Sequence, residues 1–386
     1  MTMNRFSITV GILALVLQAC AQQNSNETKE IPKDKQVVYQ PAINHNFTIK
    51  DFLTENETLS KDVDSIYKTL DEQTRVAQLL MPAVGRLGLT NDEVTKQIKE
   101  NLIGGVLMLN GTKQEFTKWI KNYNELNPYK KSLPFLYSAD AEPSLVNRKI
   151  TGSTPVIKAN EMKTIDEVRK YTTIISKDLN DIGINYNFSP VVDMSPNKTV
   201  GFRSFGAIPE NIIPWSNAFI QETQKNGIIA TAKHFPGHGL VSGDTHKSLQ
   251  MIDGELKEIG NYPKLIQDGV LSIMVAHIAV QNNPKYDTKG LPSTLSPEIV
   301  TNLLRNEYKF KGLVVTDAMN MGGVSSIPNA EVKAIEAGCD VILMPLDVRR
   351  AHTAILKKYQ EDKAFKSKVD EAAKRVIRMK LCMAKN

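Results

Sequence analysis

The stretch GLVVTDAMNM, residues 312–321, opens apolar and turns polar at Asp317. Leu313, Val314 and Val315 follow one another without the alternation of a half-exposed strand. The run is too short for a helix, so it fits a strand covered on both faces, where neither face can carry polar groups. Seven further segments are built alike. They are QLLMPAVG (78–85), IGGVLMLNG (103–111), LPFLYSADAE (133–142) and INYNFSPVVD (184–193). GIIATAKHFPG (227–237), VLSIMVAHIAV (270–280) and CDVILMPLD (339–347) complete the set.

Longer stretches of helical periodicity lie between these runs. TIDEVRKYTTIISKDLNDIG sets Val168, Tyr171, Ile174 and Ile175 at helical spacing and stops at Gly183. SPEIVTNLLRNEYKF opens with Ser296 as an N-cap and Pro297 in the first turn. DEAAKRVIRMKL predicts a closing helix, with no second domain expected beyond it. Eight strands alternating with helices predict an α/β fold, a (β/α)8 barrel of the TIM type. A doubly wound open sheet shares that periodicity and stands as the alternative. No G-x-G-x-x-G or phosphate loop follows the first strand, which counts against its nucleotide-binding version.

The polar residues of these segments gather at one end. Asp140, Asp193, His234, His277, Asp317 and Asp347 sit at or just past the C-terminal ends of the runs. In a barrel that is the face where the βα loops build an active site. Chance would scatter them over both ends. Taken alone, Asp317 reads equally as a functional carboxylate (base, metal ligand or nucleophile) or as the cap of the next helix.

KHFPGHGLVSGDTH, residues 233–246, holds three of the six histidines in the chain. His234 and His238 are four apart, as on zinc-binding helices, but Pro236 and Gly237 break the helix that this spacing needs. A structural loop is the second reading. The third pairs Asp244 with His246: a carboxylate two residues away can hold one ring nitrogen, fix the tautomer and raise its basicity. His246 is then a candidate proton shuttle.

Over 386 residues, 41% hydrophobic and 23% charged content excludes wholesale disorder. The net charge of +6 comes from lysines spread along the chain, with no arginine-rich block, so no nucleic-acid partner is expected. After Met1–Arg5, the segment FSITVGILALVLQAC is apolar almost throughout and ends at Cys20. Residues 1–20 read as a signal peptide, and Leu17-Gln18-Ala19-Cys20 is similar to the bacterial lipobox, in which the cysteine is lipidated. Gln18 is larger than the usual residue there, and a plain signal peptide is the alternative. Residues 21–50 then form a flexible tether, and residues 51–386 the barrel domain. The expectation is an exported protein, lipid-anchored to a bacterial membrane. Cys339 and Cys382 are expected to be free thiols, Cys339 in the core, without a disulfide framework.

KHFPGHG, DTH, RSFG, TLSP and VVTDAMNM together resemble glycoside hydrolase family 3, in its β-N-acetylglucosaminidase branch. The resemblance runs from about residue 60 to the C-terminus and implies a (β/α)8 catalytic barrel. It implies Asp317 as the nucleophile of a retaining reaction, with His246 and Asp244 as the general acid/base pair. It implies sugar contacts by Lys233, His234 and Arg203, and by Asp140 and Arg148 of DAEPSLVNR. The implied substrate is a terminal, β-linked N-acetylglucosamine on peptidoglycan fragments or chitin-like oligosaccharides. No metal or organic cofactor is implied, and a monomer is expected.

Two positions depart from the family pattern. Pro143-Ser144 replaces a glycine pair, stiffening and filling that turn. Leu240-Val241 replaces an acidic start of the histidine loop. Three other functions compete. A histidine acid adds no negative charge beside Asp317, which leaves phosphorolysis open. β-Glucosidase or β-xylosidase specificity would normally draw the acid/base from another domain. A glycan-binding lipoprotein with a decayed site is motivated by Pro143-Ser144 alone.

Overall fold

Each predicted apolar run contributes a strand to the barrel, and these strands pair in parallel. The computed structural model describes residues 46–129 and 133–383. The proposed signal peptide, Cys20 and most of the tether lie outside the described residues. Strand β1 consists of Leu80–Met81 and Ala83–Val84, interrupted at Pro82, which has no N–H for the ladder. Then come β2 (Gly105–Met108), β3 (Leu136–Ala139), β4 (Tyr186–Asn187) and β5 (Ile229–Phe235). The set ends with β6 (Ser272–Val275), β7 (Leu313–Thr316) and β8 (Ile342–Leu343).

The order across the sheet is β7-β6-β5-β4-β3-β2-β1, with β1 also pairing β8 at Leu80↔Ile342. A bridge between Val315 and Val341 joins β8 back to β7 and closes the ring. The open-sheet alternative is thereby excluded: the fold is a (β/α)8 barrel. Every residue of β5 is buried, as expected of a strand with side chains inside the barrel and under the helices. Val314, Val315 and Leu313 are fully buried, each worth about 1.5–3 kcal/mol of apolar transfer.

Helix Ile165–Ile182 follows β3, capped by Thr164 at Glu167 N–H and ended by Gly183 in a left-handed conformation (φ 95°). Its buried stripe runs through Val168, Thr172, Ile175 and Leu179, so Tyr171 and Ile174 sit at the margin of the face, half-buried. Helix Glu298–Glu307 is wound wide, closing with Tyr308 N–H on the Leu303 carbonyl. Ser296 corrects the expected cap. Its carbonyl takes the Val300 N–H at 3.0 Å, but its side chain makes no capping bond, and Pro297 is the boundary residue. The closing helix starts earlier than DEAAKRVIRMKL and spans Lys363–Met383.

VLSIMVAHIAV also divides. β6 ends at Val275, and Ile278–Gln281 forms a separate two-stranded parallel sheet with Gln250–Asp253. His277 lies at the break. Cys339 and Cys382 are buried free thiols. Among the described residues no helix is long and apolar enough to cross a membrane.

Candidate active site

Parallel strands all point their C-terminal ends the same way, so residues just past those ends converge on one mouth. A cavity of about 410 Å³ opens there, lined by Asp140, Arg148, Arg203, Lys233, His234, His246 and Asp317, among others. Seven of the eight residues proposed from the sequence for catalysis or sugar contact therefore border one space. Asp244, the eighth, stands behind His246.

Asp317 follows the end of β7, its N–H bonded to the Val275 carbonyl of β6 at 2.9 Å. Ala318 N–H donates to Asp317 Oδ1 at 2.8 Å. Burial alone would raise this carboxyl, but the nearby His234 ring, the Ala318 N–H and Lys233 hold it below its usual value. It is kept ionised. His277 supports the same turn: Nε2 lies 3.0 Å from the Ala318 carbonyl and Nδ1 2.8 Å from Thr294 Oγ1. The carbonyl can only accept, which assigns the ring proton to Nε2. Burial lowers the His277 pKa, favouring this neutral ring.

A chain of alternating charge holds the opposite wall. Asp140 accepts from Lys149 Nζ at 2.6 Å and from Lys233 Nζ at 2.9 Å. Glu142 accepts from Lys233 Nζ at 2.6 Å and from Arg203 through Nε and Nη2, each at 2.7 Å. Burial works against all four charges. The cations nevertheless hold Asp140 and Glu142 below the usual carboxylate range, Glu142 at about 2, and the carboxylates raise Lys233 and Arg203. The wall is preorganised, with geometry that does not depend on a ligand.

Asp193 lies under the floor of the site. It meets His234 Nδ1 at 2.6 Å and accepts the His238 N–H at 2.9 Å, aiming the other His234 nitrogen away from itself. His238 Nε2 is 2.9 Å from Thr245 Oγ1, so the His234 and His238 rings are engaged in separate structural bonds. Among the described residues no group of three or more His, Cys, Asp or Glu is placed to hold a metal. His246 Nδ1 meets Asp244 Oδ1 at 2.8 Å, and its side chain is 62% exposed. Burial would raise Asp244, but its bonds from the His246 N–H and ring lower it. The imidazole thus has a fixed partner on one nitrogen and an open one on the other.

Asp347 corrects the end-of-strand grouping. It is exposed, caps helix Val348–Glu361 by accepting the Arg350 N–H at 3.0 Å, and does not line the cavity. The Pro143-Ser144 turn is filled, as expected, and productively so. Ser144 Oγ donates to the Phe202 carbonyl at 2.7 Å and accepts the Ala159 N–H, tying this turn to the segment that carries Arg203. Arg148 borders the cavity exposed, while its neighbour Lys149 binds Asp140.

Sequence reasoning missed Glu142, Lys149 and the bracing role of Asp193. Glu142 had a signal, because it lies two residues after Asp140 in extended chain and so shares its side. Lys149 had none, since only the turn decides which of two adjacent cations reaches the carboxylate.

The profile of the glycosyl hydrolase family 3 N terminal domain matches residues 69–379. The chain is 29% identical over 299 residues to beta-hexosaminidase A of Pseudoalteromonas piscicida, covering 70% of this chain and 50% of that protein. It is similar in structure to a glycoside hydrolase family 3 beta-N-acetylglucosaminidase from Paenibacillus sp. (TM-score 0.74, 27% identity, 82% of this chain and 64% of that one). It is also similar to a beta-N-acetylhexosaminidase from Beutenbergia cavernae (TM-score 0.73, 26% identity, 81% of this chain and 98% of that one). The chain spans about half the length of the first curated relatives it matches.

Proposed function

The chain belongs to glycosyl hydrolase family 3, and on that premise we propose that it is a retaining exo-β-N-acetylglucosaminidase. One observation carries the reading: a carboxylate after β7 and an aspartate-paired imidazole border the same cavity. In the proposed reaction Asp317 attacks the anomeric carbon as His246 gives a proton to the leaving oxygen, forming a glycosyl ester. Water then attacks the anomeric carbon, His246 takes its proton, and the bond from that carbon to Asp317 breaks, releasing the carboxylate. Asp244 holds the ring in the tautomer that both steps need. Lys233, His234, Arg203 and Asp140 hold sugar hydroxyls, and Arg148 contacts the substrate from the rim.

Terminal N-acetylglucosamine is the proposed sugar, supported by the names of the relatives above, and peptidoglycan fragments or chitin-like chains are proposed as its carriers on the sequence resemblance alone. The test compares aryl β-N-acetylglucosaminide with aryl β-glucoside and follows the released anomer by NMR. Faster turnover of the N-acetyl substrate with β product first is expected; preference for glucoside, or α product first, would overturn it. The exposed Arg148 guanidinium supports a second reading, transfer to an anionic acceptor such as phosphate. Sugar 1-phosphate formed in phosphate buffer would establish that variant. Export and lipidation at Cys20 are proposed on the sequence alone, and loss of labelled-palmitate incorporation in Cys20→Ala is the expected check.

A further inference from the structure

His246 projects from a loop that must be fixed if its ring is to act at a defined distance from Asp317. The root of this loop is fixed from below. Glu258 accepts the N–H groups of Met194 (2.6 Å), Gly239 (3.2 Å) and Leu240 (3.2 Å). Val241 is buried in a small cluster with Ala276 and Ile278. These contacts end before Asp244, so they leave the tip undetermined.

The tip is fixed from across the mouth. Gly322 N–H donates to the His246 carbonyl at 3.0 Å, and Gly323 N–H to the Thr245 carbonyl at 3.0 Å. Thr245 Oγ1 makes a third tie, to His238 Nε2 at 2.9 Å. Both glycines lie on the connection that begins at Asp317. They are not required by backbone conformation, since neither has the positive φ that favours glycine. They are required by contact: a Cβ on Gly322 would lie 2.3 Å from the Lys247 carbonyl oxygen and 2.9 Å from that of His246. At Gly323 a Cβ would lie 3.1 Å from His277 Cβ and 3.2 Å from the Thr245 oxygen.

We infer that Gly322 and Gly323 are positioning residues, a seat on the Asp317 connection that holds the His246 loop over the cavity. The inference rests on the roles given above to Asp317 and His246. Gly322→Ala is the sharpest probe, because alanine suits that backbone and only the docked loop has to move. A displacement of roughly an ångström at a proton donor costs about a hundredfold in rate. The expected result is therefore a split. On an N-acetylglucosaminide with a poor phenol leaving group, kcat/KM falls about a hundredfold. On the dinitrophenyl analogue, which needs no protonation, it falls less than about threefold.

His246→Ala measured alongside separates the two levels. If it shows the split and Gly322→Ala does not, the seat is wrong and the catalytic reading stands. If neither shows it, the acid role fails first. Amide exchange then tests the seat without activity: faster exchange across residues 244–248 in Gly322→Ala at unchanged global stability supports it, and unchanged exchange overturns it. Thr245→Val, which removes a tie without inserting an atom, is expected to move leaving-group dependence the same way by less.

Discussion

Both ends of the barrel bury charge, and the two ends use it differently. At the N-terminal end Asp340, 1% exposed, is held by Arg305, Arg375 and the Val314 N–H. At the same end, Lys380 donates to Gln78 Oε1 and to the Gly104 carbonyl, each at 2.7 Å. These groups are spent on one another and on the backbone. At the C-terminal end the same chemistry stops short of closure, since Asp317, Arg148 and His246 all border open space. Burial of charge therefore does not mark a functional site by itself; burial with bonding capacity left over does.

The largest effect should come from Asp317→Ala, which removes the open carboxylate while leaving the sealed end intact. Aryl N-acetylglucosaminidase activity is expected to fall by roughly four orders of magnitude or more, with the urea midpoint little changed. Substantial residual turnover would erase the contrast. Next comes Glu142→Gln, which leaves Lys233 and Arg203 under-compensated in a buried wall. About 3 kcal/mol of stability should be lost in urea unfolding, together with activity. Loss of activity at full stability would mean that Glu142 touches substrate instead of bracing the wall.

The sealed end makes its own prediction through pH. Burial depresses the Lys380 ammonium from its ordinary value to about 7. Between pH 7 and the ordinary lysine value of about 10.4, the unfolded chain holds a proton that the folded one does not, so stability rises with pH across that window. Below it the full cost of the buried charge remains. Urea midpoints of the wild type should climb above pH 7, and Lys380→Met should flatten that climb; parallel profiles would contradict the assignment. Smallest is Asp347→Ala, a residue at the functional end without a place in the cavity. It should cost about 1 kcal/mol as a lost helix cap and leave kcat/KM unchanged.

The barrel was legible because burial on both faces writes strands as unbroken Val, Ile and Leu, as in GLVVTDAMNM and GIIATAKHFPG. The same rule hid the break at His277, where VLSIMVAHIAV carries two apolar strands in one run. Loop chemistry was legible only where one short segment holds both partners, as Asp244 and His246 do. Bonds between distant segments left no trace in spacing. Lys233 with Glu142, Asp193 with His234 and Gly322 with His246 are joined by the fold alone. Asp347 shows the converse limit, since a strand-end carboxylate caps a helix as readily as it serves a site.

The central claim is that Asp317 forms a bond to the sugar. A fluorinated N-acetylglucosaminyl fluoride, which glycosylates its nucleophile quickly with loss of fluoride and is released slowly, should leave one glycosyl adduct on the intact protein. Peptide mass mapping should place it on Asp317. An adduct on another side chain, or rapid consumption of the reagent with no adduct at any time, would contradict the account.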